Sequence, residues 1–227
     1  MALSVLVGGG RDEERVRRLL APFVAALHGG EALCVVVDET GETGETGTGG
    51  VDLDRWRGLL ADAASVRTVA LAAGRPLTPD DVAGAAGVFV AGGLTPLYAE
   101  LVVPARDALA ELPYAGFSAG AAIAAERAIV GGWLLDGRPV APEDAAEDLE
   151  ELTVVPGLGR VGFAVDVHAA QWGTLARAVA AVRAGLVAEA RAIDEHTAVV
   201  LRDGTVEVGG AGSALVVRPA ADGVLVS

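Results

Sequence analysis

Lysine does not occur in the 227-residue chain, so all 17 positive charges are arginines. That absence excludes every lysine-based mechanism, including Schiff-base nucleophiles and the Walker-type phosphate loop. Cysteine occurs once, as Cys34 in the apolar run ALCVVVD. A disulfide framework and a cysteine metal cluster are therefore excluded, and the thiol reads as a small buried hydrophobe. Although 52% of the residues are hydrophobic, no uninterrupted apolar run approaches the roughly 18 residues of a membrane span. Positive charge is scarce: 17 Lys and Arg stand against 31 Asp and Glu, a net charge of −14. This argues against nucleic acid and anionic membrane as partners. The opening MALSVLVGGGRDEE lacks a basic n-region and meets glycines and charges too early for a signal peptide. It reads as a first core strand, and the expected location is the cytoplasm.

What is present is an alternation of short β-rich apolar runs with helical patterns. LSVLV (3–7), ALCVVV (32–37), VRTVALA (66–72) and GVFVAG (87–92) are the first four strand candidates. The pattern predicts one α/β domain over 1–227, with three layers built on a mostly parallel, flavodoxin-like sheet flanked by helices. Val16, Leu19, Leu20, Phe23, Val24 and Leu27 recur at helical spacing, and Pro22 is expected to kink that helix or end it early. The repeat ETGETGETGTGG (39–50) has neither apolar period nor bulk and reads as a mobile surface loop. Residues 95–112 read as one helix or two short ones. The acidic stretch APEDAAEDLEE (141–151) reads as a solvated loop or short helix rather than a site. TAVVLRDGTVEVGG (197–210) predicts a C-terminal β-hairpin turning at Asp203-Gly204, with SALVVRP (213–219) pairing against it.

The stretch YAGFSAGAAIAAE places Ser118 between glycines in a run of small apolar residues. Gly116-Phe117-Ser118-Ala119-Gly120 matches G-x-S-x-G at a predicted strand-to-helix junction, the context a nucleophile elbow requires. A sharp turn there lifts the hydroxyl out of the sheet. Glycines on either side admit close backbone, and the helix N-terminus offers free N–H groups to a developing oxyanion. The competing interpretation is that Ser118 only caps the helix beginning at Ala119.

A serine needs an adjacent base, and the chain has three histidines. His28 ends the first helix, where a cation near the dipole explains it. His168 closes VGFAVDVHAAQ, in which Val161, Phe163, Val165 and Val167 alternate to one face while Asp166 and His168 take the other, at the carboxyl end of a strand. His196 is a further candidate base. For the carboxylate that orients the imidazole, the segment AIDEHTAVVL offers Asp194 and Glu195.

VGGGRDE, VAGGLTPLY (90–98), GFSAGAAI (116–123), DVHAAQWGTLAR (166–177) and IDEHTAVVL (193–201) together resemble the serine peptidase family of dipeptidase E and cyanophycinase, on the class I glutamine amidotransferase-like fold. The resemblance implies Ser118 as nucleophile, His168 as general base and Glu195 as the orienting carboxylate. It further implies an oxyanion hole from the amides of Gly93 and Ala119. The order Ser, His, Glu differs from that of α/β-hydrolases, whose acid precedes the histidine. Serine at the elbow, where glutamine amidotransferases carry cysteine, argues against glutamine hydrolysis. After the histidine the family commonly reads Phe, two variable residues, Arg, Gly, Arg, two variable residues, Arg, Leu. This chain has Ala169, Trp172, Gly173, Thr174, Arg177 and Ala178 there, so arginines are missing at Trp172 and Thr174. GGLTP also lacks the Gln or Asn that family members carry after the glycine pair, so cyanophycin is not the expected substrate.

The implied activity is hydrolysis of a small peptide or isopeptide amide through an acyl-enzyme, with no metal and no organic cofactor, and with a rate that rises through an apparent pKa near about 6 to 7. The alternatives are a binding or regulatory protein that keeps the fold, and an esterase or acyltransferase on the same three residues. Separation of Ser118 from His168 beyond hydrogen-bond reach would favour the binding protein. Arg177, Trp172 and Thr95 are candidate substrate contacts, with Arg160 and Arg11 as further cations for a substrate carboxylate. Trp172 reads as a pocket wall or as ordinary core, its polar neighbours favouring the wall. The apolar strand edges and the hairpin are compatible with a homodimer.

Overall fold

The computed structural model describes residues 3–39 and 52–227, so the Glu-Thr-Gly loop lies outside the described residues except for Glu39. The chain runs through β1 (Ser4–Val7), α1 (Glu13–Ala26), β2 (Glu31–Val37), α2 (Leu53–Leu59), β3 (Ser65–Leu71), α3 (Pro79–Val82), β4 (Gly87–Val90), α4 (Thr95–Val102), α5 (Arg106–Leu109), β5 (Tyr114–Phe117) and α6 (Ala119–Ala122). The short strands β6 (Arg127–Gly131), β7 (Leu134–Leu135), β8 (Arg138–Pro139) and β9 (Thr153–Pro156) follow. The chain ends with β10 (Ala164–Val167), α7 (Ala169–Trp172), α8 (Leu175–Arg183), β11 (Ala190–Ile193), β12 (Thr197–Arg202), β13 (Thr205–Gly210), β14 (Ala214–Ala220) and β15 (Gly223–Val226).

The main sheet has the order β13-β12-β1-β5-β4-β2-β3. Its five strands from β1 to β3 are parallel, and β12 and β13 close one side antiparallel. Strands β1, β4 and β5 are buried on both faces, as a parallel sheet covered by helices requires. Phe89 and Phe117 point to one face, where they meet Trp56 of α2 at ring-centroid distances of 6.1 and 5.4 Å. Tyr114, of opposite parity on β5, donates its hydroxyl to the Gly120 carbonyl of α6, 2.6 Å away on the other face. The expected three-layer α/β architecture is therefore present.

Helix α1 buries Val16, Leu20 and Phe23, and the Asp12 side chain accepts the Arg15 N–H at its start. It runs through Pro22 rather than ending there. The carbonyl deprived of a partner belongs to exposed Arg18, where water can take the lost bond. The β12–β13 hairpin turns at Asp203-Gly204, with φ of 50° and 79°, the double positive φ of a type I′ turn.

Strand β14 departs from expectation. It pairs with β11 and with β15, in a second sheet ordered β10-β11-β14-β15, not with the β12–β13 hairpin. Asp194 redirects it: its backbone N–H donates to the Ser213 carbonyl at 2.9 Å and its carboxylate accepts the Ser213 N–H at 2.8 Å. The chain is thus delivered beside β11. Helix α8 covers this sheet through Ala178, Ala181 and Val182 against Ala190, Ala192 and Val217. Among the described residues no helix is long and apolar enough to cross a membrane.

Candidate active site

Ser118 follows β5 at the carboxyl edge of the main sheet, where open α/β sheets place their ligands. Its backbone is at φ 51°, ψ −111°, a conformation that costs a non-glycine residue on the order of 1–3 kcal/mol. The flanking glycines are required by close approach. A Cβ on Gly116 would lie 2.3 Å from the Gly120 carbonyl oxygen, and one on Gly120 would lie 2.2 Å from the Val90 carbonyl oxygen. The strand, the turn and the helix can be stacked this tightly only without side chains there. Although Ser118 occupies the N-cap position of α6, its side chain makes no capping hydrogen bond. Its Oγ lies 2.8 Å from Nε2 of His168 instead.

His168 and Glu195 are brought together by the second sheet. Strands β10 and β11 run parallel in a register that pairs Val167 with Ile193, so the residues that follow the two strands emerge side by side. Nδ1 of His168 lies 2.9 Å from Oε1 of Glu195. A carboxylate only accepts, so Nδ1 carries the proton and the Nε2 lone pair faces the serine hydroxyl. Burial pulls the His168 pKa below its ordinary value, and the hydrogen bond and charge of Glu195 only partly oppose it. The resting imidazole is therefore neutral at neutral pH.

The neighbouring acid does different work. Asp194 accepts the Ala170 N–H at 3.0 Å, besides its contact with Ser213. The Glu195 N–H donates to the Gln171 side chain at 2.9 Å. His196 turns away and accepts the Asp12 N–H on its Nε2 at 3.1 Å. The glycines of VGGGRDE have a spatial reason: a Cβ on Gly9, at φ +114°, would come within 2.1 Å of His168 Cε1.

Gly93 and Ala119 lie on two different connections, after β4 and after β5. Ala119 is the first residue of α6, whose N–H has no carbonyl of its own helix to meet. Gly93 lies on the wall of the same cleft as Ser118. The Gly92–Leu94 turn is held from β2: the Tyr98 hydroxyl accepts the Val37 N–H at 3.2 Å and donates to the Gly92 carbonyl at 3.1 Å. The Glu39 carboxylate accepts the Leu94 N–H at 2.5 Å. With Glu39 so close, a side chain at Gly93 would collide with it at 1.9 Å.

Three expected substrate contacts need correction. Arg177 is buried and bidentate with Asp166, at 2.9 and 2.7 Å, and also donates to the Gly132 and Ala145 carbonyls. It is an internal brace without a free face for substrate. Arg160 lies at the opposite, amino end of β1, where it donates to the carbonyls of Leu3, Leu109, Ala110 and Leu112. Thr95 is buried at the start of α4, and its N–H donates to the Glu147 carboxylate at 2.8 Å. Arg11 and Trp172 do line the cleft, together with Arg55, which sequence reading missed. Trp172 stacks on the His168 ring with centroids 3.9 Å apart and planes 11° apart.

The cleft has a volume of about 710 Å³. Part of its wall is the acidic stretch expected to be a solvated loop or short helix rather than a site. Arg177 fastens that stretch through the Ala145 carbonyl, and Glu143, Asp144, Glu147, Asp148 and Glu150 face the cleft. Burial pushes the Glu147 pKa up, while the Thr95 N–H works against that shift. Cys34 is buried in β2, away from this cleft, its thiol pushed up to about 12 by burial.

No family model matches this chain, and no curated protein matches it. Among solved structures, the chain is similar in fold to a peptidase from an acI-B1 Actinobacterium. The TM-score is 0.62 at 20% identity, over 96% of this chain and 90% of that one.

Proposed function

We propose that this chain is a serine-type hydrolase of amide bonds, a peptidase acting on a small peptide or isopeptide. The observation that carries the reading is the continuous relay from Ser118 Oγ to His168 Nε2 at 2.8 Å and from His168 Nδ1 to Glu195 at 2.9 Å, raised on a strained elbow inside a cleft. The fold shared with a peptidase from an acI-B1 Actinobacterium supports the same class. The 2.8 Å contact between Ser118 and His168 supports this reading over that of a binding protein.

In this reading Ser118 Oγ attacks the scissile carbonyl carbon while His168 Nε2 takes the hydroxyl proton. Glu195 holds the imidazole by Nδ1–H and balances the imidazolium. The oxyanion is received by the N–H groups of Gly93 and Ala119. The C–N bond then breaks as Nε2 returns its proton to the leaving amine. Water, activated by the same imidazole, resolves the ester and regenerates Ser118.

The lining favours substrates of one charge. Six carboxylates other than Glu195 face the cleft, against the guanidinium groups of Arg11 and Arg55. The resulting field enriches cationic ligands and repels anionic ones. Mass-spectrometric cleavage of a mixed dipeptide library, including α- and β-aspartyl members and matched ester substrates, tests both parts. The expected result is amide turnover, with members carrying a positive charge cleaved faster than their acidic counterparts and the preference weakening in salt. Ester cleavage without amide cleavage would replace the peptidase reading by an esterase. An acidic preference would overturn the charge assignment.

The lowered His168 pKa sets the pH dependence. The general base must be unprotonated, so kcat/KM is expected to rise with pH along an acid limb and then level off. Its midpoint should fall below the ordinary histidine value of about 6.5, because burial of His168 is the dominant influence. An acid limb with its midpoint above that ordinary value would contradict this account of His168 as the base.

A further inference from the structure

Trp172 is 43% exposed, one of the few exposed large apolar side chains among the described residues, yet one face of its indole is committed to His168. The ring centroids of Trp172 and His168 are 3.9 Å apart and the planes are within 11° of parallel. The arrangement is built into the local backbone. His168 stands in the left-handed conformation at the N-cap of α7 and Trp172 is the last residue of that helix. The Trp172 N–H donates to the His168 carbonyl at 2.7 Å, four residues back. Such i, i+4 spacing superposes side chains on one helix face. Gly173, at φ +71°, stops the helix immediately afterwards, and the Thr174 hydroxyl ties back to the Val167 carbonyl at 2.6 Å. The turn is thereby fixed at both ends.

We propose that Trp172 is a positioning residue for the base: its indole face holds the His168 ring toward Ser118 and Glu195 and stabilises the imidazolium formed when the Ser118 proton reaches Nε2. The inference rests on the hydrolase reading for its catalytic consequence, but not for the stacking itself. The physical reason is the negative face of the indole, the strongest of the aromatic side chains for an overlying cation. Neutral imidazole gains only dispersion from the same contact, so the stabilisation grows as the positive charge appears, which lowers the barrier rather than merely binding the resting state.

Other groups act on the same ring. Glu195 faces Nδ1 and favours the charged form, as does Asp166 through space, whereas Arg177 opposes it. Arg11 and Arg55 line the same cleft. Trp172 itself has two opposed influences. As apolar cover it removes water and disfavours the cation, while as a π face it favours the cation. Leucine retains the cover and removes the π face, so Trp172→Leu separates the two.

The test is an NMR titration of the three histidines in wild type, Trp172→Phe and Trp172→Leu, with kinetics on the best amide substrate. The expected result is a His168 pKa lower in Trp172→Leu by about half a unit to one unit, with Trp172→Phe between the two. Turnover on the pH-independent plateau should fall by about three- to tenfold in Trp172→Leu, with KM changed much less. An unchanged or raised His168 pKa in Trp172→Leu would overturn the proposal and leave Trp172 as simple cover. The titration needs no turnover. A wild-type protein that cleaves nothing, yet shows the shift, would sink the hydrolase reading while retaining the imidazolium contact.

Discussion

Ser118→Ala is expected to fold like the wild type and to cleave the best peptide at least about 10⁴-fold more slowly, because the attacking oxygen is lost and the remaining groups act only as a unit. The prediction is sharp because two readings of the same hydroxyl differ in stability as well as rate. Were Ser118 a helix cap, alanine would cost about 1 kcal/mol of stability and no activity. Its side chain makes no capping bond, so the melting temperature should stay within the small range of a neutral substitution. Pairing the change with His168→Ala should add little to the loss in rate, since a base without its nucleophile has nothing to activate. Circular-dichroism melting and single-turnover kinetics on the same preparations read both effects. Retained turnover in Ser118→Ala would remove the serine mechanism altogether.

Several of these features are legible in the sequence because their causes are local. The alternation of strands with helices reports a covered parallel sheet, and Asp203-Gly204 reports a tight hairpin turn, since each depends on a few adjacent residues. G-x-S-x-G is similarly informative: the strand-to-helix turn and the glycine contacts at 2.3 and 2.2 Å follow from the pentapeptide and the strands beside it. The choice between Asp194 and Glu195 is not local. It is made by the register of β10 on β11 and by Ser213 and Ala170, which occupy Asp194. The pairing of β14 is missed for the same reason, because Asp194 captures it from nineteen positions away. VGGGRDE is faint as a motif, yet its middle glycine touches the imidazole through a fold contact that no spacing in the chain announces. Arg177 is the instructive misreading. As a cation downstream of His168 it resembles a substrate contact, and only the tertiary structure shows that Asp166, on the strand leading to His168, already fills both arms of its fork.

The second large effect concerns that brace. Replacing Arg177 with methionine should destabilise the protein by about 3–5 kcal/mol, because it leaves the Asp166 carboxylate uncompensated in the interior. The side chains of the pair are only 5% and 2% exposed, so water cannot stand in for the missing guanidinium. In a chain of this size such a loss should lower the melting temperature by on the order of 10 °C. The double variant Arg177→Met with Asp166→Leu removes the orphaned charge and should recover most of that stability, since a buried ion pair contributes little beyond an apolar pair of similar volume. Activity should not recover in parallel. Arg177 also donates to the Gly132 and Ala145 carbonyls, and the Ala145 contact fastens the acidic wall of the cleft that Ser118 also lines. With that fastening gone, KM for a cationic peptide should rise by about tenfold while the acid limb of the rate profile, set by His168, moves little. A double variant restored in both stability and KM would show that the wall holds itself and that Arg177 serves only to balance Asp166.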